Sequence, residues 1–352
     1  MSISEILGSC PVPLSRYERI TLGHGSGGQL MADLIHKLFV PAFENETLAA
    51  LEDQATLDFG GNGERLAFTT DSYVVKPLFF PGGDIGSLAV HGTVNDLAVG
   101  GATPLALSAG FILEEGLEVE VLTRIVKSMA EACSLAGVRL VTGDTKVVER
   151  GKADGVFVNT SGVGSVPAGL RLSISSARPG DRIVLSGTIG DHGVAILSVR
   201  EGLAFETAIE SDSAPLHELT RLMLDACPSI RCMRDLTRGG LSSAVHELAL
   251  ASGVGVRLDE RAIPMKPQVR AACEILGLDS VYVANEGKLM AVVPAPDAEA
   301  LVEAMRRHPL GRDAAVVGEI VEAHPRYVVM LSSVGGERVV TRISGEQLPR
   351  IC

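Results

Sequence analysis

The chain has 352 residues, is 46% hydrophobic, lacks tryptophan and carries a formal net charge of −12. That length exceeds the ~100–200 residues one core usually organises, so two domains are expected, and the apolar content excludes a disordered chain. The acidic balance excludes a nucleic-acid backbone or an anionic membrane as the main partner, but not a nucleotide bound locally through metal ions and amides.

No apolar run approaches the ~20 residues of a membrane span, and the start "MSISEILGSCPVPLSRYE" lacks the basic-then-apolar order of a signal peptide. Six cysteines, at positions 10, 133, 227, 232, 273 and 352, form no CxxC pair. Neither a zinc site nor a thioredoxin-type motif is indicated, and reduced thiols in a cytoplasmic protein are expected.

In chain order, residues 1–50 read as a glycine-rich segment, "TLGHGSGG", feeding a helix with Leu30, Leu34, Ile35 and Leu38 at helical spacing. The glycine segment lacks the GK[ST] ending of a P-loop, and both a flap over phosphates and a plain linker fit it. Residues 51–166 read as a first α/β-layered domain. "RLAFTTDSYVV" is a strand, and "DIGSLAVHGTVNDLAV" a helix stopped at Gly100 and Gly101. "PLALSAGFIL" reads as a buried strand. "EVEVLTRIVKSMAEACSLAG" is an amphipathic helix with Leu122, Ile125, Val126, Met129 and Cys133 on one face. Two further strands, "VRLVTGDTKVV" and "DGVFVNTSGVGSV", complete the domain.

Residues 167–340 repeat the style. The strand "RIVLSG" is followed by a helix from "DHGVAIL", a helix near 215–227 and the stretch "MRDLTRGGLSSAVHELALA". Helices near 267–276 and 297–307 and strands at "LMAVVPA", "AAVVGEIV" and "RYVVML" follow. Residues 341–352 form a tail ending "GEQLPRIC". The fold class is therefore α+β, with two α/β-layered domains.

Aspartates recur where strands or helices end: Asp53, Asp71, Asp96, Asp144 and Asp235. Gathered around one pocket, such carboxylates would hold Mg2+, a hard cation that bridges to phosphates; dispersed, each would cap a turn or helix. In "RDLTRGGL", Thr237 is placed to cap a helix from about Gly239 to Ala251, and Gly239 and Gly240 leave its first N–H groups open to an anion. Lys146, two residues past Asp144 on an extended segment, lies on the same face and offers a cation for a transferring phosphoryl group. Glu286 in "ANEGKLM" reads as a general base or a turn residue. His24, His91 and His192 carry no assigned role.

These stretches follow one another in an order that resembles the ATP-binding superfamily of aminoimidazole ribonucleotide synthetase, selenophosphate synthetase and thiamine-monophosphate kinase. The terminal "PRIC", with "DTKVVERG" and "RDLTRGGL", resembles its hydrogenase-maturation branch, the HypE family. The resemblance implies ATP and Mg2+ as cofactors, with Asp53, Asp71, Asp96 and Asp235 at positions that hold metal and phosphates. Asp144, Thr237 and Gly239 would belong to the nucleotide site. It implies a homodimer in which the first domain gives strands to a shared β-barrel, and a flexible tail whose Cys352 is carbamoylated by a HypF-like carbamoyltransferase. The chain would then use ATP to dehydrate that carbamoyl group to a thiocyanate. The cyanide would pass to a HypC–HypD complex for the iron of [NiFe]-hydrogenase. Within this scheme Lys146 would steady the phosphoryl group and Glu286 would be the base. From Thr341 onward the tail spans at most ~40 Å at ~3.5 Å per residue, enough to carry Cys352 between a site and a partner. Two other readings stay open: phosphoryl transfer to a small diffusible substrate, and a non-catalytic docking scaffold.

Overall fold

The computed structural model describes residues 19–43, 45–58, 65–203, 209–343 and 351–352. Cys10 and tail positions 344–350 lie outside them. Strands β1 (Ala55–Asp58) and β2 (Arg65–Tyr73) are followed by a small hairpin of β3 (Phe79–Phe80) and β4 (Gly83–Asp84). Strands β5 (Thr103–Glu114), β6 (Arg139–Val148) and β7 (Val156–Val166) then complete a five-stranded sheet of order β1-β2-β7-β5-β6. All its pairs are antiparallel except β5–β6. That parallel pair is joined by the helix Val119–Leu135, the kind of crossover parallel strands require.

The helix Ile85–Val99 covers one face of this sheet. It starts at Asp84, whose carboxylate accepts from Gly86 N at 2.7 Å and Ser87 N at 3.1 Å, while Ser87 Oγ accepts from Asp84 N at 3.1 Å. This reciprocal cap satisfies amide groups that a helix start otherwise leaves open. The helix is buried nearly all round, because the second domain covers the side that the sheet does not. Gly92 is needed where Tyr73 meets it, since a Cβ there would lie 2.2 Å from the Tyr73 hydroxyl.

The other face of the sheet is open. Phe68, Leu105, Ile112, Leu140, Val141 and Val147 are exposed. The sequence reads "PLALSAGFIL" as buried, but only one helical layer covers β5, so its outward residues meet solvent. Val126, expected on the buried face of its helix, is likewise exposed. The five strands form an open sheet in the described chain, not a closed barrel.

The second domain holds β8 (Arg182–Leu185), β9 (Cys232–Asp235), β10 (Gly255–Asp259), β11 (Leu289–Val293), β12 (Ala315–Val321), β13 (Val328–Leu331) and β14 (Glu337–Val340). They form a sheet of order β14-β13-β10-β12-β8-β11-β9. Both its faces are covered, and strand alternation sorts the side chains. Ile183, Leu185, Met290 and Val292 pack with Leu241, Val245 and Leu248 of the helix Gly240–Ser252. Val184, Leu289, Ala291 and Val293 pack with residues of the helices His217–Ala226 and Ala298–Met305. Burial on both sides explains why β11 is apolar throughout rather than alternating.

A third cluster joins the domains. Tyr73, Ile85, Leu88 and Ile125 of the first share a core with Val194, Ile196, Val269 and Val283 of the second, and Ile351 is buried in it. No helix among the described residues is long and apolar enough to cross a membrane.

Candidate active site

A cavity of about 220 Å³ opens where the domains meet. Alternation along β2 turns Thr69 and Asp71 to the helix side of the sheet, together with buried Ala67 and Tyr73. Asp96 enters from the helix Ile85–Val99, Asp53 from the segment before β1, and Asp235 from the end of β9. All four aspartates line the cavity, with Thr237, Gly240, Ser243 and Glu247. The structure thus gathers Asp53, Asp71, Asp96 and Asp235 from four separate stretches.

Two arginines that the sequence reading passed over also line it. Arg234 bridges Asp53 at 3.0 Å and Glu247 at 2.6 Å, and donates to the Leu51 carbonyl at 3.1 Å. Arg238 lies 3.8 Å from Asp71. Both flank Asp235 in "MRDLTR". Glu247 falls one helical turn past Ser243, on the same face. That spacing was the readable signal for it.

Thr237 does not cap the following helix through its side chain. Gly239, in the left-handed region at φ 77°, is the N-cap, and the Thr237 carbonyl accepts from Gly240 N at 2.8 Å. The two glycines turn the chain so tightly that the helix start faces the cavity with no side-chain cap. The glycine-rich segment packs directly on this turn. A Cβ on Gly27 would sit 2.6 Å from the Arg238 carbonyl oxygen, and Ser243 Oγ donates to the Gly27 carbonyl at 3.0 Å.

Burial dominates the electrostatics. It raises the carboxyls of Asp53 and Asp96 well above the usual range. For Asp53 the Arg234 charge opposes the shift, while Asp235 and Glu247 reinforce it. Asp96 is pushed further by Asp235, Asp71 and Asp53, although the Thr69 hydroxyl, 2.8 Å away, favours its ionised form. Asp235 rises to about 6 through burial, opposed by Arg234 and reinforced by Asp71. So many buried carboxylates repel one another unless cations enter.

The oxygen donors suit Mg2+, but not as a protein cage. Among the described residues no three His, Cys, Asp or Glu side chains stand close enough to share one metal ion. Mg2+ commonly uses one or two carboxylates, with phosphate and water oxygens as its remaining ligands. The four aspartates match that division and not a single four-ligand set.

Glu286 is buried behind this cavity. Asn95 Nδ2 donates to its carbonyl at 3.0 Å, and its own N–H donates to Asp212 Oδ1 at 3.1 Å. Its Oε1 is buried without a hydrogen-bond partner among the described residues. Burial, with Asp235, Asp71 and Asp212 adding, raises its carboxyl well above the usual range against the pull of Arg238.

Cys352 comes to the same place. Its main-chain oxygen accepts from Val74 N at 2.9 Å, one residue past β2. Burial pushes its thiol up to about 12 despite Arg238, with Glu286, Asp71 and Asp235 adding to the shift. The thiol therefore shares its electrostatic neighbours with the aspartate cavity.

Asp144 and Lys146 stay apart from it. They pair at 2.8 Å on β6, both well exposed, and neither lines the cavity. The edge position of β6 turns them to solvent in the single chain.

Residues 51–166 match the family model "AIR synthase related protein, N-terminal domain", and residues 178–330 match "AIR synthase related protein, C-terminal domain". The carbamoyl dehydratase HypE of Azotobacter vinelandii is 60% identical over 333 residues, which span 95% of this chain and 97% of its own. The chain belongs to the HypE carbamoyl dehydratase family. A crystal structure of a HypE–HypF complex aligns with a TM-score of 0.83 at 49% identity, covering 88% of this chain and 99% of the solved one. A crystal structure of the hydrogenase maturation protein HypE in complex with ATP aligns at 0.80 and 47% identity, covering 94% of this chain and 100% of the other.

Proposed function

We propose that this chain is an ATP-dependent carbamoyl dehydratase that acts on its own Cys352 in hydrogenase maturation. The observation that carries this reading is the place of that residue: the last thiol of the sequence packs against the buried cluster that joins the domains, its main chain bonded to Val74 just past β2, and it shares the charges of Arg238, Asp71 and Asp235 with a cavity lined by four aspartates. ATP is the cofactor, with its phosphates toward the start of the helix Gly240–Ser252. Asp53, Asp71, Asp96 and Asp235 would hold Mg2+, which supplies charge neutralisation at the phosphates.

An amide oxygen leaves poorly, so the carbamoyl group on sulfur must be activated. Its oxygen takes the γ-phosphoryl group, ADP departs and one nitrogen proton is lost. The C–O bond then breaks, phosphate leaves with the electron pair, and loss of the second nitrogen proton gives S–C≡N. Glu286, whose charge acts on the thiol and whose own proton affinity is raised, accepts a proton in this sequence. Arg238 stabilises the negative charge that builds on the oxygen side.

In this scheme residues 1–50 are the glycine-rich segment and helix, 51–166 the ATP-binding and dimerisation domain, 167–340 the C-terminal α+β domain and 341–352 the tail that carries the acceptor cysteine. The tail moves Cys352 between the cavity and a HypF-like carbamoyltransferase, and afterwards to a HypC–HypD complex that accepts the cyanide. The free β6 edge and the open apolar face of the first sheet fit a homodimer. In it, two such sheets close a barrel and Asp144 and Lys146 reach the nucleotide of the neighbouring copy.

The test is mass spectrometry of the C-terminal peptide after incubation with a carbamoyl-donating system and ATP. The expected result is a carbamoyl gain on Cys352 followed by ATP-dependent loss of one water. Cys352→Ser abolishes both changes and leaves Mg2+–ATP binding intact. Carbamoylation that persists unchanged with ATP present overturns the reading.

A further inference from the structure

The tail end is held by more than its own packing. His192 sits in the first turn of the helix Asp191–Arg200, fully buried, with Nε2 2.6 Å from the Ile351 carbonyl oxygen and Nδ1 2.8 Å from Ser211 Oγ. A carbonyl only accepts, so Nε2 carries the proton, and Nδ1 of the neutral ring accepts from the Ser211 hydroxyl. Ser211 Oγ in turn accepts from Ser213 N at 3.1 Å. The polar chain therefore has one direction, from Ser213 through Ser211 and His192 to the tail.

Three contacts, from the β3–β4 hairpin and from the segment before Glu286, fix this arrangement. The Phe80 ring meets the imidazole edge-on, with centroids 5.5 Å apart at 87°. Ser211 N donates to the Pro81 carbonyl at 2.8 Å, so the β3–β4 hairpin sets both the ring and its hydroxyl partner. Gly190 N donates to Asn285 Oδ1 at 2.7 Å, which ties the helix start to the residue before Glu286. The same frame thus carries both the imidazole that meets the tail and the backbone that leads into Glu286.

We propose that His192, oriented by Ser211, is a positioning residue that docks the chain end through the Ile351 carbonyl and so holds the Cys352 thiol at the cavity. It touches the backbone one residue before the thiol and no reacting atom. Losing this donor leaves a buried carbonyl unpaired and favours the undocked tail. Its consequence for turnover rests on the dehydratase reading; its consequence for the thiol's accessibility does not.

The experiment measures iodoacetamide labelling of each cysteine in the full chain by peptide mass spectrometry. Buried Cys133, Cys227, Cys232 and Cys273 serve as internal controls. His192→Phe keeps the ring and removes the donor. Cys352 labelling is expected to rise about 5- to 30-fold with the controls unchanged. His192→Gln, whose amide can donate, returns it toward the parent rate. For carbamoylated protein the same Phe variant slows dehydration while ATP affinity stays constant. Unchanged Cys352 labelling, or an equal rise at Cys352 and the four buried controls, overturns the proposal. Should His192→Phe fail to fold, Ser211→Ala decides: a selective, smaller rise supports the dock and no rise overturns it. A parent protein that never dehydrates its carbamoyl group would refute the dehydratase reading, while the labelling series still decides the dock.

Discussion

Two groups of charged residues in this molecule have opposite surroundings. At the domain junction, Asp53, Asp96 and Asp235 are enclosed with Arg234, and burial governs their protonation. On β6, Asp144 and Lys146 form an exposed pair, and the lysine hydrogen bond holds the Asp144 carboxyl below its usual range. The same residue types therefore answer to desolvation in one place and to a single neighbour in the other. The contrast shows that charge spacing along a chain says little until burial is known.

The largest expected effect is at Arg234. Arg234→Met leaves Asp53 and Glu247 without their shared cation, and a loss of about 3–5 kcal/mol in ATP-free stability is expected by chemical denaturation. A loss no greater than an exposed pair gives would erase the distinction between the two groups. Lys146→Met is next: its thermal midpoint should match the parent, because the pair is solvated. Turnover should nevertheless fall about 10²–10³-fold if the lysine serves a neighbouring copy's phosphoryl group. Unchanged turnover would mean that one chain completes the site.

The smallest effect sharpens the comparison through pH. The folded Asp235 carboxyl, at about 6, binds its proton more tightly than the unfolded one near 4. Its contribution to ATP-free stability is complete below about pH 4 and is lost as pH rises to about 6. Thermal midpoints of parent and Asp235→Asn across that window, without Mg2+, should differ in slope, the variant being flatter. Parallel curves would show that the cavity does not hold Asp235 as described.

Local structure was legible because its causes are local. The stretches of β2, β6 and β7 read as strands and that near 267–276 as a helix, and one apolar face with a terminal glycine marks the helix Val119–Leu135. β1, β9, β10, β14 and the β3–β4 hairpin are not legible, because each strand is only two to five residues long, too short for a period to show. Thr237 was assigned the cap that Gly239 supplies, since a positive φ is a property of the packed turn. Among site residues, the aspartates were visible as recurring strand and helix ends. Arg234 and Arg238 are not legible as site residues because an arginine beside an aspartate looks the same whether solvated or enclosed.

The sequence by itself determined the kinds of element, the acidic motifs and the terminal thiol, since propensity, capping and periodicity act over a few residues. Only the tertiary structure decided that four aspartates meet at one cavity while Asp144 and Lys146 do not. It alone joined His192 to Ile351, 159 positions later. Such meetings depend on two sheets packing through one shared buried helix, and contacts that distant leave no spacing to read.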